Sequence, residues 1–243
     1  MKYMGSKARF AKDLLPIILK DRKPNQAYLE PFAGGMNMID KVNGIRIAND
    51  QHQELMAMWQ ALIYDNWDPP QTVSEAEYKK IKHNQDQYSK PLLGYVGFNS
   101  FGGKWFSGYR RDKEGKRNYW AEHYRNIIKQ VPKLEGLVLS CKSYTDLDIP
   151  KQSIIYCDPP YAATTKYRNG FDHEQFWNWC RQQSKAGHHV FISEYNAPED
   201  FKCVWEKPAK TTFSWHAEKL APKVALERLF VFGGLNCLEN LIL

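Results

Sequence analysis

Asp158-Pro159-Pro160-Tyr161 closes the apolar run Ser153-Ile154-Ile155-Tyr156-Cys157. A β-branched, aromatic run that stops at two prolines reads as a buried strand ending at a rigid corner. Such corners at the carboxyl edge of an α/β sheet are where ligands usually bind. This one offers a carboxylate, a carbonyl that no helix can use, and an aromatic ring. Those groups suit a planar amine, with acceptors for its hydrogens and a face to stack on. A plain structural strand-to-loop corner uses the same residues.

A second candidate site is Glu30-Pro31-Phe32-Ala33-Gly34-Gly35, which follows a short apolar segment. Glycines there let the backbone approach a ligand closely, and a helix start offers free N–H groups. Asp50 stands about twenty residues on, where a carboxylate commonly holds ribose hydroxyls. The pattern departs from G-x-G-x-x-G, which argues against a dinucleotide site; a tight turn with an exposed Asp fits the same residues. Phosphate-loop chemistry fails, because Gly102-Gly103-Lys104 runs into Trp105 and lacks the correctly spaced first glycine. Deaminase chemistry fails as well, since no Pro-Cys-x-x-Cys accompanies a His-x-Glu.

The elements that must position these residues alternate between strand and helix, which predicts an α/β sheet. Strands are expected at 27–30, 45–48, 137–141, 153–158, 188–193, 203–205 and 226–232. Helices are expected at 6–20 (kinked or split by Pro16), 36–42, 52–65 and 171–185. In the third of these Leu55, Met58, Trp59 and Leu62 share a face; in the last, Phe176, Trp177 and Cys180 are apolar. Between Asn66 and Pro132 the chain turns polar, aromatic and rich in Lys, Gln, Asn and Gly, the texture of a helical insertion. The organisation expected is a split catalytic domain, 1–54 and 136–243, interrupted by a target-recognition domain at 55–135. The apolar tail Leu235–Leu243 has no assigned role.

The net charge is +7 over 243 residues. Between Phe101 and Gln130 lie eight Lys or Arg against three Asp or Glu, so most of that excess sits in the insertion. Glycines, aromatics and cations interleave from Gly97 to Arg111, and Asp112-Lys113-Glu114-Gly115-Lys116 reads as a hairpin tip turning at Gly115. Such a surface fits nucleic acid: cations on phosphates and a side chain wedged into the base stack. Lys104, Arg110, Arg111, Lys113, Lys116 and Arg117 are the candidate contacts, and a solvated basic loop is the plainer alternative. Five cysteines without a C-x-x-C pair suggest reduced, buried thiols, a cytoplasmic setting and no structural zinc. No apolar run is long enough to span a membrane, and the first residues lack the apolar centre of a signal peptide.

Four pieces line up in order: Lys2-Tyr3-Met4-Gly5-Ser6-Lys7, Glu30-Pro31-Phe32-Ala33-Gly34-Gly35, Asn49-Asp50 and Asp158-Pro159-Pro160-Tyr161. In this order the chain resembles the Dam-like (D12 class) DNA adenine-N6 methyltransferases, in a form like those carried by phages. The resemblance implies a Rossmann-like methyltransferase sheet with a mostly helical DNA-recognition insert bearing a basic hairpin. It implies S-adenosylmethionine as cofactor, held by Tyr3, Lys7, Phe32, Gly34, Gly35 and Asp50, by Ser143 and Tyr144 beside its adenine, and by Asp158. Asp158, Pro159, Pro160 and Tyr161 would act on an adenine flipped out of double-stranded DNA, in a bacterial or phage-infected cell. Ile192-Ser193-Glu194-Tyr195 resembles a later motif that lines the base pocket, although its last two residues differ from the commoner Asn-His. Tyr3 and Lys7 are also spaced as neighbours on a helix start, and Tyr144 also suits an ordinary core aromatic. The alternatives are a cytosine-N4 DNA methyltransferase, since the proline tetrapeptide serves exocyclic amines in general, and a catalytically inactive DNA-binding relative. No leftover apolar stripe calls for a partner subunit, so a monomer is expected.

Overall fold

The computed structural model describes residues 1–112, 114–160, 170–210 and 224–233. Tyr161, Lys113 and the tail Leu235–Leu243 lie outside the described residues. The strands are β1 (Tyr28–Glu30), β2 (Arg46–Asn49), β3 (Val138–Ser140), β4 (Ile154–Cys157), β5 (His189–Glu194), β6 (Phe201–Lys210) and β7 (Val224–Phe232). The helices are α1 (Ala11–Ile18), α2 (Gln53–Tyr64), α3 (Glu75–His83), α4 (Lys90–Phe98), α5 (Tyr119–Gln130) and α6 (His173–Lys185). The strands form a seven-stranded sheet in the order β3-β2-β1-β4-β5-β7-β6, so the expected Rossmann-like α/β sheet is present.

The chain divides into two compact units, Met1–Lys12 with Ala27–Asp148, and Asp13–Gln26 with Ile149–Leu243. In the first unit β1, β2 and β3 run parallel, with Leu29 opposite Ile47 and Ile47 opposite Val138. All three residues of β1 are buried, as expected of a parallel strand covered on both faces. Helix α2 buries Leu55, Met58, Trp59 and Leu62, the face read from the sequence. Helix α4 lies against it backbone to backbone: a Cβ on Gly94 would stand 2.1 Å from the Glu54 carbonyl oxygen. Helix α3 is closed by a capping box of Ser74 and Glu77. Helix α5 starts at Asn118, whose side chain accepts from the Trp120 and Ala121 amides. The segment 55–135 lies whole within this unit.

In the second unit β4 and β5 are parallel, with Cys157 opposite Ile192, while β7 runs antiparallel to both β5 and β6. Every residue of β4 is buried. Helix α6 buries Phe176, Trp179 and Cys180. Trp177, expected in that core, is half exposed and rests on Phe201, 4.7 Å between ring centroids.

Four expectations need correction. Residues 36–42 are not an α-helix but turns and a 3-10 segment, Ile39–Lys41. Gly34 and Met36 have φ of 46° and 54°, a left-handed conformation that helix cannot continue through. Asp112 to Arg117 does turn at Gly115 (φ 66°), but no strand flanks it among the described residues, so it is a looped turn rather than a β-hairpin. Of the thiols, Cys157 and Cys180 are buried whereas Cys141 and Cys203 are exposed. Pro16 sits inside α1 without splitting it; the break falls earlier, where a 3-10 turn (Ala8–Phe10) leads in. Among the described residues no helix is long and apolar enough to cross a membrane.

His123, on the buried face of α5, packs 4.8 Å from the Tyr95 ring and is 2% exposed. Burial, helped by the positive charges of the Met1 amino group and Arg110, pushes its pKa down to about 3. The unfolded chain, with a His pKa near 6.5, therefore binds a proton that the folded chain refuses. Between those two values stability should fall with decreasing pH by about 1.4 kcal/mol per unit from this residue alone. Denaturant titrations from pH 6 to 4 should show a slope steeper by about that amount in wild type than in His123→Leu, which keeps the contributions of other groups such as His52 and the Met1 amino group.

Candidate functional site

The candidate residues fall in both units, and each unit's set is built locally. In the first, the residues after β1 form a loop held almost entirely by hydrogen bonds from outside it. Asn49 at the end of β2 is buried; its Nδ2 donates to the Pro31 carbonyl (2.9 Å) and the Lys142 carbonyl (3.0 Å), and its Oδ1 accepts from the Lys142 amide (3.0 Å). One side chain thus joins the carboxyl ends of three parallel strands. The Ala33 amide donates to the Asn49 carbonyl (2.8 Å). Trp59 on α2 donates its indole N–H to the Gly34 carbonyl (3.1 Å), and Gln130 on α5 donates to the carbonyls of Gly35 and Met36 (both 3.0 Å). The Gly34 and Gly35 carbonyls are thus paired with side chains, while the Met36 carbonyl also accepts from the Asp40 amide (3.3 Å); the left-handed backbone at Gly34 and Met36 is what stops a helix.

Asp50 closes the same loop. Its Oδ2 accepts from the Gly34 amide (3.0 Å) and its Oδ1 from the His52 amide (2.9 Å). Burial raises its pKa, while these two amides and the neighbouring His52 act in the opposite sense. Each oxygen keeps a lone pair, so the carboxylate can still accept from a ligand hydroxyl. The Tyr3 ring lies over the two glycines: a Cβ on Gly34 would stand 2.5 Å from Tyr3 Cε1, and one on Gly35 would stand 2.6 Å from Tyr3 Cβ. Tyr3 and Lys7 precede the first helical turn rather than lying on it; Lys7 is buried and its Nζ donates to the Gly5 carbonyl (2.9 Å). Phe32 and Tyr144 pair at 5.3 Å, half-exposed rings near the ends of β1 and β3. Ser143 accepts from the Thr145 amide and caps the short turn Tyr144–Asp146. The unit therefore brings Tyr3, Gly34, Gly35 and Asp50 together, and separately pairs Phe32 with Tyr144.

Behind Tyr3 runs a stack of rings that sequence spacing does not reveal. Tyr3 meets Phe98 at 5.3 Å, and His52 meets Phe98 at 4.9 Å and Trp105 at 4.5 Å. The Met4 amide donates to the Gly103 carbonyl (3.4 Å), so the N-terminal motif rests on the glycines of the aromatic loop. Asn49, Trp59 and Gln130 are likewise functional supports that sequence reading missed. Only Asn49, inside the Asn-Asp pair, carried a signal.

In the second unit β4 ends in half-buried Asp158, followed by buried Pro159 and half-buried Pro160. Beneath them Tyr156 and Ser193 share a buried hydroxyl–hydroxyl bond of 2.8 Å, joining β4 to β5. Glu194 is buried and accepts from the Tyr195 amide (2.7 Å), while Arg228 donates to the Tyr195 carbonyl (2.7 Å).

The basic loop belongs to the first unit. Arg110 is half-buried, stacked 4.1 Å over the Tyr119 ring, and donates to Asn99 Oδ1 (3.3 Å). Burial lowers its pKa. Arg111 makes a two-pronged bond with Glu75, Arg117 another with Glu122 (2.9 and 2.8 Å), and Lys116 pairs with Glu114 (2.7 Å). These surface pairs are weak enough for phosphates to displace. Lys104 is half-buried just beyond Gly103.

The Tyr3–glycine contact is testable by a double-mutant cycle. Gly34→Ala should cost about 2–4 kcal/mol in denaturant unfolding, falling to about 1 kcal/mol in a Tyr3→Ala background, where only the left-handed strain remains. Gly35→Ala should keep most of its cost in both backgrounds, because its tightest clashes are with the Tyr3 Cβ that alanine retains and with Asn37 Nδ2.

A solved structure of SMU.472, a protein assigned as a methyltransferase and complexed with SAH, aligns with a TM-score of 0.39 at 11% identity, over 96% of this chain and 55% of that one. The chain thus spans about half the length of that structure. Over residues 3–91, the span that holds Tyr3, Lys7, the glycine corner and Asp50, the chain matches the family of D12 class N6 adenine-specific DNA methyltransferases.

Proposed function

We propose that the chain transfers a methyl group from S-adenosylmethionine to N6 of an adenine flipped out of duplex DNA, acting as a single chain. The observation that carries this reading is Asp158-Pro159-Pro160 at the end of fully buried β4, in a chain whose first 91 residues hold the D12 class match.

The first unit fits the cofactor. Phe32 and Tyr144 offer ring faces for a purine, Asp50 offers two oxygens to ribose hydroxyls, and the Tyr3 ring over Gly34 and Gly35 forms a close-approach wall. When bound, the cofactor supplies a methyl group already activated by its sulfonium. Lys7, Ser143 and Asp158 complete the proposed cofactor contacts.

Adenine N6 is a poor nucleophile because its lone pair is delocalised into the ring. In this reading the Asp158 carboxylate and the Pro159 carbonyl accept its two hydrogens, which favours a pyramidal nitrogen with its lone pair directed at the methyl. Positive charge developing on nitrogen then meets acceptors already oriented, so little reorganisation is needed. Buried Pro159 cannot rotate about φ, and the Tyr156–Ser193 bond braces the strand below. Asp158 need not be a strong base, since the proton becomes acidic only after transfer. Tyr161 would stack on the base, which must leave the duplex to be reached. The segment 55–135 would be the target-recognition part, with Lys104, Arg110, Arg111, Lys113, Lys116 and Arg117 on the DNA. Engaging phosphates would exchange the Glu75, Glu114 and Glu122 pairings for DNA.

Labelled methyl transfer to duplex DNA, followed by nucleoside analysis, tests this directly. N6-methyladenine is the expected product; N4-methylcytosine would reassign the substrate. Asp158→Ala should lower turnover at least a thousandfold, on the order expected for losing transition-state acceptors, while most cofactor affinity survives. Retained turnover in that variant would refute the assignment.

A further inference from the structure

From Arg110 to Arg117 the structure describes four cations, and one stands apart. Arg111, Lys116 and Arg117 are exposed, and each is paired with a carboxylate, Glu75, Glu114 and Glu122 in turn. Arg110 is half-buried and has no carboxylate partner among the described residues. Its guanidinium lies 4.1 Å over the Tyr119 ring and donates from Nη1 to Asn99 Oδ1 (3.3 Å). Both supports are themselves fixed. Asn99 is 2% exposed at the close of α4. Tyr119 opens α5, whose start is capped by Asn118 and anchored by buried Trp120. A guanidinium carries its N–H donors in one plane. The Tyr119 ring covers a face of that plane and Asn99 engages one donor, so the rest of the edge is left for a ligand with paired acceptors. A phosphate contact asks for none of this, since exposed cations serve it as charges. The major-groove edge of guanine offers O6 and N7 at the spacing of that fork, and Arg is its commonest reader.

We propose that Arg110 reads a guanine of the recognition sequence by donating to its O6 and N7, with Tyr119 and Asn99 as positioning residues. The inference rests on the methyl-transfer reading above for its substrate, duplex DNA. Arg111, Lys116 and Arg117 then supply affinity through phosphates, which carry no sequence information. The division of labour follows from how each cation is held. A surface ion pair is exchanged for a phosphate at little loss. A fork locked by packing on one side and a hydrogen bond on the other keeps the orientation that discrimination between bases requires.

The test takes a randomised duplex library, sequences the N6-methyladenine sites made in it, and separately sequences the duplexes the protein binds. Both sets should share an invariant guanine. A duplex with 7-deazaguanine there, which lacks the N7 acceptor, should be bound and methylated about tenfold or more less well by wild type. Arg110→Lys keeps the charge but not the fork. It should still bind duplex DNA, but its preference for guanine at that position should fall by about 5- to 150-fold, and 7-deazaguanine should no longer matter to it. Tyr119→Leu should lose part of the preference, and Tyr119→Phe, which keeps a ring face, should retain it. Arg117→Ala should weaken binding to all duplexes alike and lessen its salt dependence. An unchanged sequence preference in Arg110→Lys would make Arg110 a phosphate contact and overturn the proposal, as would a recognition sequence without guanine. Should the variants not fold, wild type decides: indifference to 7-deazaguanine at every guanine of the site overturns it. Guanine-dependent binding without N6-methyladenine would remove the methyl-transfer reading and uphold this one. Methylation that ignores guanine would remove this one alone, and a protein that neither binds nor methylates DNA would remove both.

Discussion

The loop from Pro31 to Met36 depends on hydrogen bonds that it does not make to itself. Its backbone turns through left-handed conformations at Gly34 and Met36, which leaves the Gly34 amide and the carbonyls of Pro31, Gly34 and Gly35 to be paired by side chains from elsewhere. Asn49, Asp50, Trp59 and Gln130 supply those partners from β2, the segment after it, α2 and α5. A buried carbonyl or amide left unpaired costs roughly 1–3 kcal/mol, so each of these side chains holds the loop in one geometry. A preorganised loop loses little further freedom when a ligand arrives.

Asp50 shows how one side chain serves two purposes. Burial disfavours its charge, and the two amides it accepts from partly restore it. The same carboxylate that fixes the loop keeps spare acceptor capacity toward a ligand. The aromatic stack from Tyr3 through Phe98 to His52 and Trp105 works alongside it by filling space. Glycines at 34 and 35 leave the volume that the Tyr3 ring occupies, so the missing side chains there are a packing requirement as well as a conformational one.

The basic loop differs in kind. Arg111, Lys116 and Arg117 are all paired to carboxylates at the surface. Their pairings hold the cations in place without committing them strongly. Arg110 is the exception: half-buried on Tyr119, it sits where side-chain packing and charge act together.

Much of the architecture was legible in the amino acids. Alternating apolar runs located all seven strands, and the helical face of Leu55, Met58, Trp59 and Leu62 was readable from its period, because period and polarity are local properties of the chain. Asp50, the glycine corner and the Asp158 corner could be picked out for the same reason. The helix expected at 36–42 was misread because its apolar period is genuine but the left-handed turn at Gly34 and Met36, braced by Gln130 on the Met36 carbonyl, is set by contacts distant in sequence. Asn49, Trp59 and Gln130 could not be assigned their roles from sequence, since each acts across many residues on groups that every residue type possesses. The chain alone determined which residues are fit for chemistry and where the strands and the helices with a clear apolar face fall. Tertiary structure alone decided which backbone groups those side chains satisfy, because hydrogen-bond partners are chosen by proximity in space, which linear order does not encode.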